Sequence, residues 1–167
     1  MRNTRSAAGA MVFALLGLSN AAWAEPAPAG PASGQRVPRY VSLRADTANG
    51  RHGPGEEHRI DWIYQRSGLP LQVTAESGPW RRVVDPDGAT VWMHERNLEN
   101  RRTVYFRSDA VMRRTARPGA APAAYPAAGV IAALTGCEGH WRRVAIGGRV
   151  GWVEAEAVWG GEDCSGI

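Results

Sequence analysis

Lysine is absent from this chain: all 20 basic residues are arginine, set against 16 acidic ones. Large apolar side chains are scarce too, since Leu, Ile, Val and Phe together supply 29 of 167 residues. That proportion signals disorder only alongside a high net charge, and the formal charge here is +4. Two Cys are too few for a four-thiolate zinc site in one chain, and the length is too short for a large (β/α) barrel. No HExxH pair exists, and His52, His58, His94 and His140 are scattered, so no metal site is expected. A phosphate loop requires a Gly-rich turn running into a helix with Lys; Gly53-Pro54-Gly55 has neither, and no cofactor is expected.

What the chain does have begins with a leader-like segment. Arg2 and Arg5 form a basic start, Met11 to Leu18 is a short apolar run, and Ala22-Trp23-Ala24 places small residues at both cleavage-determining positions. This pattern predicts a secretory signal peptide over residues 1–24, cut after Ala24. The apolar run is far shorter than the roughly 20 residues that cross a bilayer. The predicted compartment is periplasmic or extracellular, with no transmembrane segment left after cleavage. Residues 25–38, EPAPAGPASGQRVP, hold little that could offset ordering entropy and predict a disordered tether.

An internal repeat organises the rest. Trp80-Arg81-Arg82-Val83 recurs as Trp141-Arg142-Arg143-Val144, and Val91-Trp92-Met93 is answered by Gly151-Trp152-Val153; Leu98 and Val158 follow in step. The units, placed at 39–100 and 101–162 with a tail at 163–167, are of a size that folds alone only marginally. Leu69, Leu71, Val73 and Ala75 alternate with other residues, the period of a half-buried strand. Trp80 to Asp85 and Ala89 to His94 predict a hairpin about Asp87-Gly88. The second copy predicts strands at Val130 to Thr135, His140 to Ile146 and Arg149 to Glu154, with a turn from Gly136 to Gly139. Ala120 to Ala133 is broken by Pro122, Pro126 and Gly129, which disfavours a helix. The fold class expected is all-β, two small barrels whose closure hides strand edges.

The run Leu43 to Leu98, with Gly53-Pro54-Gly55, Trp80 to Val83, Gly88 and Trp92, resembles the bacterial SH3-like domain family of exported proteobacterial proteins. Trp141 to Val144, Gly151-Trp152-Val153 and Val158-Trp159-Gly160 resemble the second domain often found with it. Gly50 and His52 around Arg51 depart from the apolar residues usual there. The resemblance implies tandem SH3-like barrels with a binding or scaffolding role in the cell envelope.

Candidate ligand residues follow from strand alternation. With Val83 facing inward, Trp80 and Arg82 fall on the outer face; Trp141 and Arg143 repeat the arrangement. The resemblance implies that Trp80 and Trp141 line a peptide groove, where Trp gives rigid contact area and Arg a bidentate partner for carboxylates. The alternative is that both tryptophans plug the barrels or pack the copies together, since Trp is highly buried on average. Trp92 and Trp152 are assigned to the core. Ile60, Trp62 and Tyr64 share one face of their segment, either as an aromatic shelf for Pro-rich or peptidoglycan-stem peptides or as a plain core strand.

Cys137 and Cys164, in an exported chain, predict a disulfide that pins the tail. A small hydrolase using Cys137 and His140 is the enzymatic alternative. Asp85 and Asp87 are expected as turn formers. Arg101, Arg102, Arg107, Arg113 and Arg114 gather at the junction of the copies, partly matched by Glu95, Glu99 and Asp109. Nucleic-acid binding calls for a continuous basic stripe with exposed aromatics, and the predicted mature chain is nearly neutral, so no nucleic acid is expected. The expected partner is a peptide, peptidoglycan or another envelope protein; the expected role is non-enzymatic binding, with a structural scaffold as the alternative.

Overall fold

The computed structural model describes residues 32–165 and 167; the predicted signal peptide and most of the predicted tether lie outside that span. Its regular secondary structure consists almost wholly of antiparallel strands. In the first repeat these are β1 (Arg39–Leu43), β2 (Ala48–Arg51), β3 (Ile60–Tyr64), β4 (Pro70–Ser77), β5 (Trp80–Val84), β6 (Thr90–His94) and β7 (Leu98–Glu99). The second holds β8 (Thr103–Phe106), β9 (Met112–Arg113), β10 (Pro122–Ala124), β11 (Ile131–Glu138), β12 (Trp141–Ile146), β13 (Arg149–Glu154) and β14 (Val158–Trp159). Each set forms one seven-stranded sheet, ordered β3-β2-β6-β5-β4-β1-β7 and β10-β9-β13-β12-β11-β8-β14. The two orders are the same topology, which is the repeat made structural.

Every strand of the first sheet sends side chains to a single core, including Leu43, Ala48, Tyr64, Leu71, Val83, Met93 and Leu98. A sheet whose outermost strands share one interior is wrapped upon itself, which withdraws apolar surface without a second layer. Val104, Phe106, Met112, Leu134, Val144, Val153 and Val158 do the same in the second. Alternation explains the membership: Val91 and Met93 face in, so Trp92 between them faces out. Trp92 and Trp152 are therefore half-buried on the outer surface rather than in the core as expected. The predicted turn from Gly136 to Gly139 is also corrected. Strand β11 runs through Gly136 to Glu138, with a register shift between Leu134 and Gly136, and β4 shifts at the same place between Val73 and Ala75. The β12–β13 hairpin turns on Gly147 and Gly148 at φ +53° and +78°, the doubly positive pair that matches strand twist.

Both repeats are closed at the same end by a terminal segment. Glu76 of β4 and Cys137 of β11 occupy equivalent positions, opposite Arg81 and Arg142 respectively. Glu76 accepts hydrogen bonds from the Ser33 backbone N–H at 2.8 Å and its hydroxyl at 2.7 Å, and pairs with Arg39 at 2.6 Å. Residues 32–38 are thus held on the first sheet rather than free as the tether reading expected, and Val37 packs on its core. At the second sheet Cys137 is joined to Cys164. The tail so held offers the carbonyls of Gly160, Asp163 and Ser165 to the Arg102 guanidinium at 3.1, 2.5 and 2.6 Å.

The sheets touch along β1 and β8. The Ser42 and Thr103 hydroxyls are buried and lie 2.6 Å apart; Ser42 donates to the Arg101 carbonyl and Thr103 to that of Gly68. Tyr40 meets the edge of Trp159 at 5.2 Å, and Arg102 lies 5.4 Å over the Tyr40 ring. Tyr105 and Ile131 of the second repeat pack on the core of the first.

Candidate functional site

The predicted tryptophan grooves differ from expectation in one respect. Trp80 and Trp141 do sit on the face opposite Val83 and Val144, yet they are only 9% and 4% exposed. The His94 ring meets Trp80 edge-on at 5.3 Å, and the His140 ring leans on Trp141 at 5.1 Å. Both indoles are floors rather than open contact surfaces, while Arg82 and Arg143 are exposed beside them. Alternation did not reveal that Arg81 and Arg142 are buried. Arg81 is paired with Glu76 and Glu95, and Arg142 donates to the Gly139 and Trp141 carbonyls.

Above those floors are equivalent hollows of opposite charge. The first, about 210 Å³, is bordered by Arg51, His94 and Arg96, with Glu56 as its acidic member. The second, about 390 Å³, is bordered by Asp109, Glu154 and Glu156, with Arg113 as its basic member.

A largely apolar opening lies elsewhere, where β3 and the β5–β6 turn of the first repeat meet Tyr105 of the second. This cleft, about 280 Å³, is walled by Trp62, Ile63, Leu69, Pro86 and Tyr105. Its polar parts are fixed from within. Tyr64 donates to Asp85 Oδ2 at 3.0 Å, and Asp85 Oδ1 accepts the backbone N–H groups of Asp87 and Ala89 at 3.0 and 2.9 Å. Asp85 is thus the turn former expected, with its carboxylate committed. Burial, then the Asp85 charge, pushes the Tyr64 phenol well above its ordinary value, so it remains a donor. Arg66 reaches the Gly129 carbonyl and lies 5.9 Å from the Tyr105 ring centre. Arg66 and Asp87 leave one charge of each sign on the rim.

Trp62 and Tyr64 are therefore brought together, as one exposed wall and one buried anchor. The core-strand reading of that segment fails for all but Tyr64: Ile60, Trp62 and Ile63 are 45%, 59% and 58% exposed. The reason is that β3 is a terminal strand whose first four residues project beyond the core. Ile63, Pro86 and Tyr105 were not singled out by sequence. Tyr105 had no readable signal, because it arrives from the other repeat.

Cys137, half of the Cys-His alternative, is bonded to Cys164 and so has no thiolate to offer. His52 contacts Asp61 at 3.2 Å and His58 contacts Glu57 at 3.3 Å. Among the described residues no group of three His, Cys, Asp or Glu is placed to hold a metal ion. No helix among them is long and apolar enough to cross a membrane. Arg101 is paired with Glu99 and Arg107 with Glu162.

Two wrapped antiparallel sheets of one topology, each with a tryptophan-floored hollow, define a tandem SH3-like protein. The bacterial SH3 domain family matches the chain twice, at residues 44–100 and 107–160, and the chain belongs to that family. No curated protein matches it. Among solved structures it is similar to NlpC2 from Trichomonas vaginalis, at 11% identity and a TM-score of 0.34, covering 74% of this chain and 48% of that one. NlpC1 from the same organism gives 10% identity and a TM-score of 0.35, covering 77% and 48%. The chain spans about half the length of these two proteins.

Proposed function

We propose that this protein is an exported, non-enzymatic binding module that recognises peptide in the cell envelope, as the stem of peptidoglycan or as an exposed protein segment. The observation that carries the reading is the cleft between the repeats. It combines solvent-facing Trp62 and Ile63 with Pro86 and Tyr105, and it has a cation and an anion on its rim. A rigid aromatic wall supplies area at little entropic cost, and the rim charges match the amide, amino and carboxylate groups of a peptide. Arg82 and Arg143, with Trp80 and Trp141 beneath the hollows, are secondary contacts in this reading. Export rests on the leader pattern at 1–24 and accords with a disulfide between Cys137 and Cys164.

The test is sedimentation of the full chain with purified, protein-free peptidoglycan. Retention that falls at least tenfold in Trp62→Ala, with an unchanged melting temperature, is the expected result. Equal retention of wild type and Trp62→Ala, or none by either, overturns the peptidoglycan stem as the ligand and leaves a protein segment as the occupant to be tested.

A further inference from the structure

Among the described residues, strand β3 ends the first sheet and has one hydrogen-bonded neighbour, β2. Its other edge therefore carries backbone N–H and C=O groups without a strand partner. Folded proteins blunt such edges with charge, proline or brevity. The second repeat does so: the equivalent strand β10 is three residues long, with Pro122 followed by two alanines. The first repeat does so less fully, with a register shift and the charged Asp61 within β3. Strand β3 is five residues long and keeps Ile60, Trp62 and Ile63 in solvent, large apolar side chains on both faces of an open edge. One protein thus carries the same strand in a more and a less protected form.

Size decides what can cover it. Three partly exposed side chains offer on the order of a few hundred Å², against about 800 Å² per partner in a standard protein interface. That is too little for a stable dimer or a folded partner and suits one added strand. The cleft continues from the end of β3 through Trp62 and Ile63, and at about 280 Å³ it accommodates one large side chain rather than a drug-sized ligand.

We propose that β3 is a strand-addition edge: an extended polypeptide segment pairs with its open side, lays alternate apolar residues along the face of Ile60 and Trp62, meets Ile63 on the other face, and seats one side chain in the cleft. Backbone pairing gives affinity and the cleft gives selectivity. This deepens the peptide-binding reading and rests on it, naming the occupant as an extended protein segment.

The probe is a phage-displayed library of random ten-residue linear peptides selected on the full chain. Enriched peptides with alternating apolar residues are expected. Their synthetic versions should slow amide exchange at least tenfold within Ile60–Ile63 and bind Ile63→Lys at least tenfold less tightly. Tyr125→Ala, at an exposed site of the second repeat, should bind as wild type. No enrichment, protection elsewhere, or equal binding to Ile63→Lys with unchanged folding overturns the proposal. So does a concentration-dependent dimer abolished by Ile63→Lys that the peptides do not displace, because the occupant is then a second copy. If Trp62-dependent peptidoglycan binding persists while the library yields nothing, strand addition alone has failed; peptides on β3 without peptidoglycan binding isolate the opposite failure.

Discussion

Glu76 is a carboxylate whose side chain is fully buried at the barrel end. Burial alone would raise its pKa, but the two hydrogen bonds from Ser33 and the Arg39 guanidinium outweigh it and bring the value down to about 2 from 4.5. Between those values the unfolded chain binds the proton that the folded chain refuses, so stability present above about 4.5 is lost as pH falls towards 2. Glu76→Gln should therefore lower unfolding free energy at pH 7 by on the order of 3 kcal/mol and flatten acid unfolding across that window, as measured by urea titration at a series of pH values. A parallel pH profile for variant and wild type would assign the acid sensitivity to other groups. The carboxylate was not singled out from sequence. Its charge was plain, but its position opposite Arg81, one strand from Arg39 and 43 residues from Ser33, exists only after folding.

At the scale of the element, strand periodicity was the most legible property of the chain. The alternation of Leu69, Leu71 and Val73 specified β4, and the Asp87-Gly88 pair specified a turn, because each depends on neighbours in sequence. Where the reading failed, tertiary placement decided. Trp62 has the periodicity of a core residue, but its strand projects beyond the interior; Trp80 has the phase of a surface residue, but His94 covers it. The glycine of the Gly151-Trp152-Val153 motif gains a reason only in three dimensions. A Cβ there would lie 2.6 Å from Met112 Cγ and 2.7 Å from the Arg113 carbonyl oxygen. Gly151→Ala should cost roughly 1–3 kcal/mol through overpacking against the β9 backbone, read as a lower urea midpoint at constant m-value. An unchanged midpoint would mean that β9 yields without loss.

For the whole molecule, the repeat announced two units, but nothing in it foretold how they meet. Ser42 and Thr103 are small polar residues of no evident rank in sequence; together they form a buried hydroxyl contact between the sheets. Tyr105 and Ile131 lend apolar surface to a core that belongs to the other repeat. With the core of the first unit completed by its neighbour and hydroxyls shared between the sheets, thermal unfolding should be one cooperative transition, with calorimetric and van't Hoff enthalpies in agreement. Two resolved transitions, or a calorimetric enthalpy near twice the van't Hoff value, would show that the shared contacts do not couple the repeats.

The oppositely charged hollows do not set the charge of the repeats that carry them. Residues 39–100 hold eight Arg against nine acidic side chains, whereas residues 101–162 hold nine Arg against five, so a chain of small net charge carries its positive excess on the second repeat. Such a particle near a polyanion feels little net pull but a distinct torque, within the roughly 8 Å over which charge is felt at physiological salt. That torque turns the second repeat towards the polymer and leaves the open strand of the first facing outward.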